Sequence, residues 1–67
     1  MSEADKMFEK LGYMIDEDEE RVIFDNRDIN ITFDKKTKTV NTDNAITFNI
    51  LELQAINQKC KELRWIE

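Results

Sequence analysis

Five consecutive acids, Asp16, Glu17, Asp18, Glu19 and Glu20, form the densest chemical feature of this 67-residue chain. Oxygen donors in such a run suit a hard divalent cation, so a calcium loop is the first chemistry to test. An EF-hand loop needs acids at alternating positions, a glycine at the sixth and a carboxylate at the twelfth. Counted from Asp16, the sixth residue is Arg21 and the twelfth is Arg27, and geometry and charge both exclude the loop. Two roles are left. Like charges repel and resist burial, which suits the solvated tip of a hairpin and blunts edge-to-edge pairing of sheets. The same acids suit a recognition surface facing a basic partner, and Glu17, Asp18, Glu19 and Glu20 are then the residues that partner touches.

Other reactive groups are sparse. Asp25, Asp28 and Asp34 supply carboxylates for a Mg²⁺ site, yet all three fall at expected strand ends, where Asp is a common turn former. The chain has no His to act as a base near neutral pH, no second Cys, no Gly-rich phosphate loop and no nucleophile elbow. No enzymatic activity, cofactor or metal is expected from that inventory. Cys60 keeps register with an apolar stripe and is expected to be a small buried residue rather than a reactive thiol. Lys35, Lys36 and Lys38 form a basic cluster too small for a nucleic-acid patch and suited to a solvated turn. Trp65 near the chain end either folds back over the core or serves as a binding hot spot, and it joins the four acids as a candidate partner-binding residue.

The elements that must position these groups follow from the period of the apolar residues. Ala4, Met7, Phe8 and Leu11 recur at helical spacing and predict a helix over 2–11, capped by Ser2 and ended by Gly12, the chain's single glycine. The period then changes to two. Val22 and Phe24, then Ile29, Ile31 and Phe33, alternate with polar residues and predict an antiparallel meander with one face buried. Thr39 and Val40 supply a short last strand, before Asn41 to Asn44 break the pattern. Tyr13 to Ile15 are either a fourth strand or an extended lead-in. Helical spacing returns at Ile50, Leu53, Ile56, Cys60 and Leu63, which predicts a second helix with that stripe buried, capped at Thr47 or Asn49. Glu52, three residues after Asn49, sits at capping-box distance. Lys59, Lys61 and Arg64 fall near the C-terminal end, where cations suit the helix dipole. The predicted fold is α+β: a two-layer sandwich of helix, antiparallel three- or four-stranded meander, and helix, in one domain spanning residues 1–67.

Composition narrows the setting. With 40% hydrophobic and 37% charged residues, no Pro and one Gly, the chain is expected to be ordered. A single Cys in so small a domain points to a reducing, cytoplasmic home. No signal-like start or membrane-length apolar run appears in it. The net charge of −5 disfavours nucleic acid and anionic lipid as partners. Residues 1–34 carry eleven acids and four bases, a net of −7, whereas residues 35–67 carry four acids and six bases, a net of +2. The acidic field is therefore built by the first half.

The order of helix, meander and helix is similar in topology to the double-stranded RNA-binding domain. That family binds RNA through a Lys-rich start of its second helix, where this chain has Thr47-Phe48-Asn49-Ile50-Leu51-Glu52, so none of its RNA-binding site carries over. In wording, "MFEKLGY", "ITFDKKTKTV" and "ELQAINQKCKEL" resemble short uncharacterised proteins of phages and prophages of Gram-positive bacteria. That resemblance implies a cytoplasmic phage protein and transfers no functional residue. The expectation is a small non-enzymatic accessory protein that binds another protein. The alternative is an acidic mimic of nucleic acid that inhibits a nucleic-acid-binding protein. Homodimerisation through a sheet edge or through Trp65 is open.

Overall fold

The structure, a computed structural model, describes residues 2–43 and 47–66. Its elements are α1 (Glu3–Lys10), β1 (Met14–Glu17), β2 (Arg21–Asp25), β3 (Asn30–Asp34), β4 (Thr39–Asp43) and α2 (Ile50–Glu62). The four strands form one antiparallel sheet in the order β1-β2-β3-β4, and both helices cover the same face of it. This is an α+β fold, and of the two strand counts the sequence left open it takes four.

Both helices begin on caps read from the sequence and α1 ends on its expected glycine, whereas the left-handed Arg64 that ends α2 is marked in the sequence only as a cation suited to the helix dipole. The Ser2 hydroxyl accepts the Asp5 N–H at 3.1 Å and caps α1. Asn49 and Glu52 form a full capping box on α2, each side chain accepting the other's backbone N–H, at 2.9 and 3.0 Å. At the C-terminal ends the two helices close in the same way. Gly12, at φ +91°, lets its own N–H and that of Tyr13 fold back onto the Glu9 and Phe8 carbonyls. Arg64, at φ +63°, does the same for α2, with its N–H on Lys61 and the Trp65 N–H on Cys60. Such six-to-one and five-to-two bonds make a Schellman motif, in which a left-handed residue is followed by an apolar one that returns to the helix. The returning residue is aromatic both times. Tyr13 meets the Phe8 ring edge-on at 5.4 Å, and Trp65 lies 6.1 Å from Phe33.

The core fills the space between the layers. Val22 and Phe24 from β2 and Ile31 and Phe33 from β3 are fully buried, as are Ala4 and Phe8 from α1 and Ala55 from α2. Phe8 stacks on Phe24 with ring centroids 3.9 Å apart, and Phe33 meets both rings edge-on.

Three expectations need correction. The acidic run is not all hairpin tip: Asp16 and Glu17 pair with Ile23 and Val22 inside β1, which leaves Asp18, Glu19 and Glu20 for the connection. Nor does β4 stop at Val40. Asn41, Thr42 and Asp43 continue it against Thr32, Ile31 and Asn30, because pairing with β3 overrides the weak strand preference of Asn and Asp; Asn44 lies outside the described residues. The largest change is in α2. Ile50 and Leu53 are 64% and 48% exposed, Cys60 is only half-buried, and Ala55 and Lys59 take the inward positions. Relative to its aliphatic stripe, the helix is turned by roughly a quarter of a revolution. Contacts with α1 explain the turn: Ala55 is small enough to sit beneath a neighbouring helix, and the polar groups on its flanks find partners there.

Candidate functional site

Those partners form two polar ties between the helices. At one end, the Tyr13 hydroxyl donates to Glu52 Oε2 at 2.5 Å, while Glu52 Oε1 holds the capping box. Burial, followed by the hydrogen bond to Glu52 and the carboxylate's charge, raises the Tyr13 pKa far above its ordinary value. At the other end Glu62 Oε2 accepts the Ala4 N–H at 2.9 Å and the Gln58 amide at 3.1 Å, placing an anion on the first turn of α1. Desolvation pushes the Glu62 carboxyl up, but bonds from Ser2, Ala4 and Gln58 and the charge of Lys59 outweigh it and hold the group below its ordinary range. Between the ties Lys59 Nζ reaches Asp5 at 3.3 Å and lies 5.9 Å from the Phe24 ring centroid. With its side chain 7% exposed, Lys59 is a buried cation held by one carboxylate and one aromatic face. Each of these groups is bonded to a partner that fixes the helix pair, and of their buried oxygens Glu62 Oε1 has no hydrogen-bond partner among the described residues.

The opposite face of the sheet is uncovered. In an antiparallel ladder, directly paired residues share a face. The outward rows are Met14, Asp25, Asn30 and Asp43; Asp16, Ile23, Thr32 and Asn41; and Arg21, Asp34 and Thr39. Half-buried Ile23 and Thr32 occupy the middle, with Met14 fully in solvent at 79% exposure and four aspartates around them. A semi-apolar centre inside a charged border is the layout of a protein-binding patch. The acids are not equivalent. Asp25 accepts the Arg27 N–H, and Asp34 accepts the N–H groups of Lys36 and Thr37, so both close turns as their positions suggested. Asp34 is held below the ordinary carboxylate range by the Thr37 N–H first; desolvation opposes it, and the Lys36 N–H, the Thr37 hydroxyl and the charge of Arg21 add to the lowering. Asp16 and Asp43 carry no such turn bond among the described residues.

The five candidate partner-binding residues separate into different roles. Glu17 pairs with Lys35 at 2.9 Å, and the same ammonium also donates to the Asp18 carbonyl. Asp18 accepts the Glu20 and Arg21 N–H groups, both at 2.8 Å, and the Arg21 bond is the main reason its pKa is lowered. Glu19 and Glu20 side chains are exposed and make no hydrogen bond or ion pair among the described residues. Trp65 is half-buried over Phe33 on the helix-covered face, which Glu17 shares through its row with Val22 and Phe33, whereas Asp18, Glu19 and Glu20 lie in the connection; among the described residues no bond joins Trp65 to any of the four acids.

Further chemistry is thin. Among the described residues, no three His, Cys, Asp or Glu side chains gather as a metal-binding set. Burial pushes the Cys60 thiol above its ordinary pKa, which keeps it protonated and unreactive. An open cleft of about 290 Å³ lies beside Gly12, Met14, Asp25, Asn26 and Arg27, but its carboxylate is already turned onto the Arg27 N–H. Among the described residues no helix is long and apolar enough to cross a membrane. The sequence matches no protein-family model, no curated protein and no solved structure.

Sequence reasoning missed the open face as a unit, although the signal was present. Once Val22, Phe24, Ile31 and Phe33 are assigned inward, the opposite parity names Arg21, Ile23, Thr32 and Asp34 as outward. Lys59 and Glu62 left no such trace, because their roles depend on which way α2 is turned.

Proposed function

We propose that this protein is a small, non-enzymatic accessory protein of phage or prophage origin that works in the cytoplasm by binding another protein. The observation that carries the proposal is the sheet face that the two helices leave uncovered, with Ile23 and Thr32 at its centre and, at its border, Asp16 and Asp43, whose carboxylates make no hydrogen bond or ion pair among the described residues. The buried polar groups already hold the two helices to each other, so this face is the surface with side chains to spare. Its test is co-purification from a Gram-positive host at low salt, comparing wild type with Ile23→Lys/Thr32→Glu and with a control change on the exposed side of α2, Gln54→Lys. One dominant protein should accompany wild type and the control and be lost with the face variant. Absence of any dominant protein, or equal recovery by the face variant, refutes the proposal.

A second role, inhibition by nucleic-acid mimicry, draws support from Glu19, Glu20 and Asp16, whose carboxylates extend the face's negative charge at one end. Asp18 is a poor reporter because it builds the turn. Exchanging Asp16, Glu19 and Glu20 for Ser should abolish capture if mimicry operates, and unchanged capture eliminates it.

A further inference from the structure

Among the described residues both edges of the sheet, β1 and β4, are unpaired, and they are guarded very differently. Strand edges present unpaired N–H and C=O groups, which proteins protect with charge, proline, bulges or covering elements. β1 is short and carries Asp16 and Glu17, so antiparallel pairing over its full length with its own copy would set Ile15 against Asp16 and Met14 against Glu17 and crowd four carboxylates into one short ladder. β4 reads Thr39-Val40-Asn41-Thr42-Asp43, with no Pro, no Lys or Arg, and one charge at its very end. Its five residues match β3 one for one, so no bulge twists the edge away.

We propose that β4 is the interface of a twofold homodimer, in which it pairs antiparallel with β4 of a second copy and joins two sheets into one. Charge complementarity selects a second copy as the occupant. One end of β4 adjoins the turn that carries exposed Lys36 and Lys38; the other ends at Asp43, in the same row as Asp25 and beside the connection bearing Asp28. Antiparallel pairing sets the lysine end of each copy beside the aspartate end of the other, and the symmetry repeats the attraction at both ends. Parallel self-pairing would instead set lysines against lysines. With the axis at Asn41, the two Asn41 side chains face each other, Val40 meets Thr42 of the second copy, and both helix layers lie on the same side of the joined sheet. Leu53 lies on the flank of α2 opposite Glu62, which accepts the Ala4 N–H of α1, so it falls on the side away from α1 that the second copy approaches. An isologous contact of this kind closes on itself, whereas a β1-to-β4 contact would propagate into a filament.

The dimer is independent of the partner-binding proposal, since a monomer that still captures its partner would overturn only the dimer. Sedimentation equilibrium on the full chain provides the test. Wild type should sediment at twice its 8.0 kDa mass. Asn41→Lys places two cations face to face at the axis and should weaken association by roughly fivefold. Asn41→Asp should do the same, and mixing the two variants should restore association as a heterodimer. Circular dichroism and melting of each variant verify that its fold is kept, and Lys36→Glu, in an exposed turn, provides an independent weakening of the wild-type contact. Monomeric wild type, or a dimer indifferent to Asn41→Lys and Lys36→Glu, overturns the proposal.

Discussion

Exchanging Lys59 for alanine should destabilise the protein far more than exchanging Leu53, although the aliphatic pattern alone favours the reverse. Lys59→Ala removes three methylenes buried beside Phe24, a loss of about 2 kcal/mol at ~0.8 kcal/mol each. It also strands Asp5, whose side chain is 16% exposed. Removing one partner of a fully buried pair costs about 3–5 kcal/mol. Residual solvent contact and the favourable dipole of the first turn of α1 reduce that to about 1–2 kcal/mol here. The expected total is about 3–4 kcal/mol, close to the whole stability of a domain this small. Leu53 is 48% exposed, so truncation forfeits about half of a buried leucine's transfer energy, and alanine's better helix propensity offsets part of that; about 1 kcal/mol or less should be lost. Phe33→Ala, in the centre of the core, provides the upper reference at about 3–5 kcal/mol.

Urea titration followed by the fluorescence of Trp65, the single tryptophan, and by circular dichroism measures all three variants. Trp65 is seated on Phe33, so its emission reports the packing of α2 directly. Lys59→Met separates the two contributions: it keeps the stem and loses the charge, and should recover about half of the alanine deficit. A Leu53→Ala loss equal to or greater than that of Lys59→Ala would refute the helix orientation and with it the polar ties to α1.

Arg64→Gly should stabilise the protein by about 0.5–1 kcal/mol, because relief of the left-handed backbone at φ +63° exceeds the entropy glycine adds to the unfolded chain; an unchanged or lower urea midpoint would contradict this. Glu62 is held below its ordinary value of 4.5, so its contribution is complete above that pH and is lost as the pH falls below it. The acid side of the wild-type stability curve should therefore be steeper than that of Glu62→Gln, and superimposable curves would remove Glu62 from the account. Tyr13 titrates in the opposite sense. Above its ordinary value of 10.0 the unfolded chain releases a proton that the folded hydroxyl keeps, so stability should decline as the pH rises beyond it. Tyr13→Phe should lower stability near neutrality by about 1 kcal/mol and flatten that alkaline decline; a decline of equal slope would contradict the assignment.

The elements were legible where a local signal decides them. Ser2, Gly12 and the Asn49-Glu52 pair act on backbone groups within a turn of themselves, and the alternation of Val22, Phe24, Ile31 and Phe33 needs no partner to reveal which side is apolar. The turn role of Asp25 and Asp34 belongs to the same class, since the carboxylate bonds an N–H two or three residues away. Orientation of α2 was not legible. Five aliphatic or sulfur-bearing residues mark one stripe, but Ala55 allows the helices to approach and Tyr13, Asp5 and the Ala4 N–H offer partners to Glu52, Lys59 and Glu62. Those bonds join residues 39 to 58 positions apart, beyond any window of periodicity. The acidic run shows the intermediate case: its position at a hairpin was readable, but its division into strand, turn and free carboxylates depended on where β1 pairs with β2.

The bond from the Ala4 N–H to Glu62 also orders events in time. It joins positions 58 apart, whereas β2, β3 and β4 meet through connections of only four residues. Short hairpin loops close at little entropic cost, and a loop of this length closes late. The meander is therefore the early-forming part of the molecule and the helix pair its latch. Perturbing the latch, as Lys59→Ala does, should raise the unfolding rate and leave the folding rate nearly untouched, and a folding limb slowed in proportion would reverse that order.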